Sequence, residues 1–532
     1  MCRFVDTVGW RGVSGSDSGS YGGCRLYPCL RAGFGALQPL RKWVGFTPSP
    51  HFFPDMPEKP ETEDEPDEVR IERDSLGEMS VPVDAYWGAQ TQRAIENFPI
   101  SGIPFGRRFI RALGIVKKAA ARANAELGHL ESPVAEAITE AAEEVIGGEH
   151  DDAFPVDVFQ TGSGTSSNMN ANEVIANRAA ELRGESIGDR VVHPNDHVNF
   201  GQSSNDVIPT AMHVAAVEAL RKDLIPALTT LEETLQRKAS DFDSVIKTGR
   251  THLQDATPIR LGQEFDGYRT QITHGIERAE ESIGHLSELA LGGTAVGTGL
   301  NTDPRFPKRA IESINTQTGC TFQPAESTPA AQAAHDAMGA AHGALRTVAG
   351  SLNKIANDLR LLASGPRNGI GELEQPENQP GSSIMPGKVN PVIAEAVNQV
   401  HKQVVGNDAA IAAGAAEGQL ELNLYKPVIA HNFLQSARLL TNAAEVFATQ
   451  FVEKLEVNED VCETQVDRSL ALATALNPAI GYDKASEVAK EALQTGNSIR
   501  RVVIEKGYLT EAEAEDVLDP EAMTERAILS DE

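Results

Sequence analysis

Residues 261–291, LGQEFDGYRTQITHGIERAEESIGHLSELAL, decide the fold class. Leu261, Phe265, Tyr268, Ile272, Ile276, Ala279, Ile283, Leu286 and Leu289 recur at steps of three or four. That spacing lays one continuous apolar stripe along a helix. Charged and polar residues fill the remaining positions, and Gly292-Gly293 stops the run. Thirty residues at a rise of 1.5 Å predict a rod roughly 45 Å long.

The same period extends in both directions. Ser132-Pro133 predicts a cap and a first-turn proline, followed by Val134, Ile138, Ala141 and Val145 and a stop at Gly147-Gly148. Residues 205–240 are helix-like. A second rod is predicted from Ser327-Thr328-Pro329 to Ser364-Gly365-Pro366, with Gly339, Gly343 and Gly350 inside it. Each costs up to about 1 kcal/mol against alanine, which is tolerable where another helix backbone comes close. A third rod begins at Asn390-Pro391 and a fourth spans about Pro427 to Leu455. No stretch alternates convincingly as a strand, so helix should far exceed the usual third of residues. After Asn458 a compact helical piece follows, with a capping box at Thr510 and Glu513. The expected architecture is all-α, with a central long-helix bundle and a compact C-terminal piece. Rods of this length with small-residue faces suit bundles that pack between subunits.

The chain has 532 residues, 40% hydrophobic, 23% charged and 5% aromatic. This is soluble, globular composition on a scale that buries a large core. The net charge of −29 argues against nucleic acid and anionic membrane surfaces as partners. It fits a salt-adapted cytoplasm, as the scarcity of lysine does loosely, better than it fits an ordinary acidic enzyme. Cys2, Cys24, Cys29, Cys320 and Cys462 show no zinc or iron–sulfur spacing. The expectation is a reduced cytoplasmic protein without structural disulfides, metal or cofactor. No apolar run reaches the length of a membrane span.

Residues 1–55 differ from the rest. They hold six basic and three acidic residues, a net +3, so the remainder of the chain carries −32. Nine of the chain's 28 aromatics fall there, Trp10, Trp43 and Phe46 among them. They show neither helical period nor an apolar segment with a small-residue cleavage site, and they fit a transit peptide poorly. They are expected to be a non-native or disordered extension, with Met56 as the natural start. A Pro- and acid-rich lead-in to Asp67 follows.

Three clusters between the rods are suited to chemistry. Gln160 to Asn168, QTGSGTSSN, is dense in small hydroxyls and backbone N–H groups that can hold a carboxylate, though a flexible linker has a similar composition. His193-Pro194-Asn195-Asp196 and Gln202-Ser203-Ser204-Asn205-Asp206 precede a helix, where capping and anion binding are compatible. Gly249 to Asp255, GRTHLQD, contains His252, which gains weight only if a carboxylate orients it. Gly381 to Pro391, GSSIMPGKVNP, has the glycines and lysine of a P-loop, but the spacing is wrong and Val389 stands where Ser or Thr would hold magnesium. Gly292, Gly293, Gly297 and Gly299 follow a helix rather than a strand, so they are no dinucleotide fingerprint.

Gly381 to Asn390 closely resembles the signature loop of the fumarase/aspartase superfamily. The hydroxyl loop, the Ser203–Asn205 run and Thr251-His252 resemble that family's other blocks, in the same order. The resemblance runs from about Val69 to the C-terminus and includes Trp87 to Arg93, WGAQTQR. Ser163, Ser204, His193 and Gly387 are the fumarase choices where many aspartases differ.

The resemblance implies a metal-free, cofactor-free hydration of fumarate to (S)-malate and its reverse. It makes Ser382 the base toward the carbon-bound proton, activated by Lys388 and backbone N–H groups. His252 would handle the proton on the oxygen side, oriented by Glu395. Ser163, Gly164, Thr165, Ser203, Ser204, Asn205, Thr251, Ser383 and Asn390 would hold the two carboxylates. Arg190, His193, Asn195 and Asp196 resemble a second, non-catalytic dicarboxylate site. The resemblance also implies three helical domains, at 56–202, 203–457 and 458–532, and a homotetramer, each active site drawing loops from three subunits. The rival readings are an aspartate ammonia-lyase on the same scaffold and a non-catalytic helical scaffold. The joint presence of Ser382, His252, Lys388 and Glu395 speaks against the latter.

Overall fold

The computed structural model describes residues 68–525, among which lie 17 α-helices and eight short strands. The extension at 1–55 and the lead-in that follows it fall outside the described residues. The decisive run forms the helix Leu261–Leu286, with Leu261, Phe265, Tyr268, Ile272, Ala279, Ile283 and Leu286 buried along one face. Burying each large apolar side chain contributes roughly 1.5–3 kcal/mol. The last turn predicted for it is extended instead. Glu288–Leu289 pairs with Gln323–Pro324, whose neighbourhood supplies N–H donors for the carbonyls of Ser287 and Leu289.

Five rods close a ring. Ile225–Asp241 packs on Leu261–Leu286, which packs on Asp336–Leu362, then Val392–Ala416, then Lys426–Gln450, which returns to Ile225–Asp241. The first rod is longer than that segment, because Ser204–Glu218 runs through a π-helical turn, Ala219–Leu224, into Ile225–Asp241. The turn lies just before Pro226, whose ring cannot sit against the carbonyl four residues back in a regular helix. The second rod differs from its prediction. It breaks into Thr328–Ala333 and Asp336–Leu362 at an extended Ala334, and Gln332 and His335 on either side are buried.

Ahead of the ring lie Arg107–Glu126, Ser132–Gly147 and Thr165–Leu182. The cap of the second of these falls on Glu131 rather than Ser132, with Pro133 in the first turn. One contiguous apolar core runs through these helices and the ring, from Phe105 to Cys462. A second, from Val466 to Leu518, gathers the C-terminal helices. The Thr510–Glu513 capping box is formed there, opening Glu511–Val517.

The expectation of no strands fails at two hairpins. In Val69–Asp74 with Gly77–Pro82, the apolar Val69 and Ile71 point outward. Arg70, Glu72 and Asp74 point inward, where Arg70 pairs with Glu72 and Arg93 with Asp74. The second hairpin, Ile246–Thr251 with Gln254–Arg260, carries a register shift at Gly249, where a Cβ would lie 2.5 Å from the Thr257 carbonyl oxygen.

Of the glycines of the Asp336 helix, only Gly339 faces a neighbour within the chain, where a Cβ would lie 3.7 Å from Ala415 Cβ. Gly343 and Gly350 face open space, as does Gly406 on the Val392 helix.

Candidate active site

The hydroxyl loop turns through Gly164 at φ 77°, a conformation suited to glycine, into the helix Thr165–Leu182. Ser163 Oγ lies 2.9 Å from Thr165 Oγ1. Gln160 clamps the loop from both ends of its amide: Nε2 donates to Ser167 Oγ at 2.9 Å and Oε1 accepts the Ser167 N–H at 3.0 Å. The linker alternative is therefore excluded by the local hydrogen bonding. Gly162 lies so tightly on the chain ahead of the Lys426 helix that a Cβ would sit 1.9 Å from the Leu424 carbonyl oxygen.

Ser203 caps the Ser204 helix. Its Oγ accepts the Asn205 N–H at 3.2 Å, and Asp206 Oδ1 accepts the Ser203 N–H at 2.9 Å. Asn168 Nδ2 donates to Ser204 Oγ at 3.1 Å and to Asn199 Oδ1 at 3.2 Å. Ser163, Gly164, Thr165, Ser203, Ser204 and Asn205 thus lie on two loops joined by one amide. Sequence reasoning missed what lies beneath them. Lys117 is fully buried, and its Nζ donates to Asn199 Oδ1 and Gln202 Oε1, both at 2.9 Å. Burial pulls that ammonium down to about 7 against the attraction of Asp206. A signal existed: Lys117 lies four residues after Leu113 and three before Ala120, on the apolar face of its own helix.

His252 occupies the tip of the second hairpin, exposed to solvent. Thr251 pairs with Gln254, so His252 and Leu253 are the two turn residues, at φ 57° and 61°. A two-residue turn with both φ positive normally takes Asn-Gly. Side chains with a Cβ at such positions cost about 1–3 kcal/mol each and concentrate where function requires them. The hairpin is rooted in a buried ion cluster. Glu372 accepts from Arg250 Nη1 at 2.9 Å and lies 3.2 Å from Lys247 Nζ.

The signature loop is closed at its neck. Gly381 N–H donates to the Lys388 carbonyl at 2.9 Å, and Asn390 Nδ2 donates to the Gly381 carbonyl at 2.7 Å. Within it, Ser382 Oγ accepts two backbone N–H groups, from Ile384 at 3.2 Å and Met385 at 3.1 Å. Ser383 and Lys388 are exposed, and so is Glu395 in the first turn of Val392–Ala416. Among the described residues, no hydrogen bond or ion pair joins His252 to Glu395, or the signature loop to the hydroxyl loops.

Arg190, His193 and Asn195 line a separate cavity of about 320 Å³ with Arg73, Asp74 and Glu173. His193 Nδ1 accepts the N–H groups of Asn195 and Asp196 at 3.3 and 3.1 Å, and lies 3.3 Å from the Asp196 carboxylate.

The chain that carries these hydroxyl loops and the exposed loop with Ser383 and Lys388 matches the lyase family over residues 77–406 and the fumarase C C-terminus family over 472–525. Together they define a lyase of the fumarase/aspartase type. A fumarate hydratase class II of Halobacterium salinarum is 75% identical over 464 residues, 87% of this chain and 99% of the relative. One of Nitrosomonas europaea is 55% identical over 460 residues, 86% of this chain and all of the relative. The crystal structure of a class II fumarase from Schistosoma mansoni superposes with a TM-score of 0.84 at 40% identity, covering 86% of this chain and 99% of that one. The chain belongs to the class II fumarate hydratase family.

Proposed function

We infer that the protein catalyses the reversible hydration of fumarate to (S)-malate, as in the tricarboxylic acid cycle. Beyond its family, the observation that carries the chemistry is the environment of Ser382 Oγ. Serine is a poor base in water, and two backbone N–H groups on its oxygen stabilise the alkoxide that must take the proton from carbon. As that C–H bond breaks, charge moves onto the neighbouring carboxylate. Lys388 and the hydroxyl loops cradle it. His252 protonates the departing hydroxide as water, and in the reverse direction takes that proton back.

The parts lie apart within one chain, so we place their meeting between copies in a homotetramer. The open glycines at Gly343, Gly350 and Gly406 support this, because they leave helix backbone ready for close approach. Glu395 of one copy then orients His252 of another. The cavity at Arg190 and His193 is read as the second, non-catalytic dicarboxylate site. A cytoplasmic location fits the two described thiols, Cys320 and Cys462, both free and buried. No helix among the described residues is long and apolar enough to cross a membrane.

Ser382→Ala and His252→Asn should each lower kcat by about 10²–10⁴-fold in a folded protein. Fumarate absorbance measures this. Near-normal turnover in Ser382→Ala removes that residue as the base, and ammonia release from aspartate would redirect the assignment to an aspartase.

A further inference from the structure

Lys426 opens the helix that ends the ring, and its side chain is fully buried with Nζ lacking any hydrogen-bond partner. Its backbone N–H donates to the Gly162 carbonyl at 3.2 Å, which fastens the hydroxyl loop directly to this residue. The side chain enters the polar interior behind that loop. There, Asp206 on the Ser204 helix attracts it, and buried His335 feels its charge. Asp206 is itself fully committed. Oδ1 takes the Ser203 N–H, and Oδ2 takes the N–H groups of Gly292 and Thr294 at 2.9 and 3.0 Å. One buried carboxylate therefore faces two buried lysines, Lys117 and Lys426, so positive charge is in excess whenever both are protonated.

An unpartnered buried ammonium is expensive, and core packing alone does not require one. It is useful where negative charge arrives nearby. We propose that Lys426 is a positioning residue for the substrate: its buried ammonium, behind the Ser163 and Ser203–Asn205 loops, supplies the positive potential that holds a dicarboxylate there. This rests on the reading of those loops as the carboxylate cradle. It assigns to Lys426 long-range attraction, not proton transfer, so its loss should be felt in binding more than in turnover.

The groups facing Lys426 set the pH range. His335 and His213 are held neutral by burial, burial pushes the Asp206 carboxyl up against its three N–H donors, and Lys117, which shares Asp206, is drawn down to about 7. Lys426 itself is drawn down to about 8 by burial. Dicarboxylate affinity should therefore fall as pH rises through that value.

The test uses the full-length enzyme and succinate, a saturated dicarboxylate that cannot react. Lys426→Met should raise KM for fumarate and the inhibition constant of succinate by about tenfold, with a smaller change in kcat. It should also remove the fall in succinate affinity centred near pH 8, leaving any fall centred near pH 7 to Lys117, while thermal stability stays equal or rises. Asn205→Ala is the reference for the cradle. If Asn205→Ala weakens succinate and Lys426→Met does not, the role of Lys426 is refuted and the cradle stands. If neither weakens it, the cradle is misplaced and the proposal falls with it. Should Lys426→Met not fold, the wild-type enzyme decides alone: succinate affinity that is flat between pH 7 and 9 overturns the proposal.

Discussion

Glu372 offers the most quantitative test of how the hairpin bearing His252 is held. Its carboxylate is buried, bonded to Arg250 Nη1 at 2.9 Å and 3.2 Å from Lys247 Nζ. It also lies where three segments converge. Its N–H donates to the Leu362 carbonyl, and its own carbonyl accepts the Asn458 N–H. Glu372→Gln keeps the shape and deletes the charge. Lys247 retains Glu264 at 3.3 Å, so the loss falls mainly on Arg250. Breaking a buried pair costs about 3–5 kcal/mol, and the partial compensation favours the lower end. A body of roughly 450 residues unfolds with an entropy near 1 kcal/mol/K, so about 3 kcal/mol lowers the melting temperature by roughly 3 °C. The catalytic loss should be larger than this suggests, because the strained tip depends on its root for its geometry. A decline in kcat of about tenfold or more is expected, since misplacement of about 1 Å can cost 10²-fold. Thermal unfolding at fixed protein concentration and fumarate absorbance on the same preparation measure both. A shift below about 1 °C with unchanged kcat would refute the claim that this cluster anchors the hairpin.

Acid should destabilise the protein through His335, whose ring nitrogens are both buried without partners and whose pKa burial pulls down to about 3. Below pH 6.5 the unfolded chain takes up this proton and the native state does not, so stability falls by about 1.4 kcal/mol per pH unit until about 3. His335→Phe should flatten that slope in urea unfolding at pH 7 and pH 5, and an unchanged slope would show that other groups carry it. Deleting residues 1–55 should leave melting temperature and turnover nearly unchanged; loss of folding would make the segment a structural part. Salt should favour the assembly, because the acidic body repels both its own copies and a dianionic substrate, and the Debye length shrinks from about 30 Å at 0.01 M to about 3 Å at 1 M. Sedimentation and turnover should show the oligomer loosening in dilute buffer and activity persisting above about 1 M KCl. Steady inhibition by KCl would defeat the salt-adaptation reading.

The rods were legible because a helix writes its buried face into the sequence at a period that survives without knowledge of neighbours, as Leu261 to Leu286 does. The hydroxyl and signature loops were legible through the resemblance of several blocks in order, since the composition of the hydroxyl loop alone also suits a flexible linker. The hairpins were not. Around Val69 the buried face is ionic and the exposed face apolar, which inverts the alternation by which a half-buried strand is recognised. Around His252 no Asn-Gly marks the turn, although both turn residues have positive φ. The break at Ala334 was hidden because the residues beside it, Ala330 to Ala334, are four alanines and a glutamine, all good helix formers, and the long-range bonds of Gln332 override them. Lys117 was concealed for a similar reason: a lysine on an apolar stripe reads as a flank until its partners, Asn199 and Gln202, are seen from another segment.

The turn at His252 and Leu253 also bears on how such an enzyme can change over generations. Asparagine followed by glycine would be the most comfortable pair there, and either substitution need only relieve strain to spread under selection for heat resistance. The first of them removes the side chain proposed for acid–base work. Stability and activity therefore pull this two-residue turn in opposite directions. A laboratory selection that rewards only survival at high temperature should return His252→Asn or Leu253→Gly among its early winners, and the lineages that carry the histidine change should show the fall in kcat expected of His252→Asn.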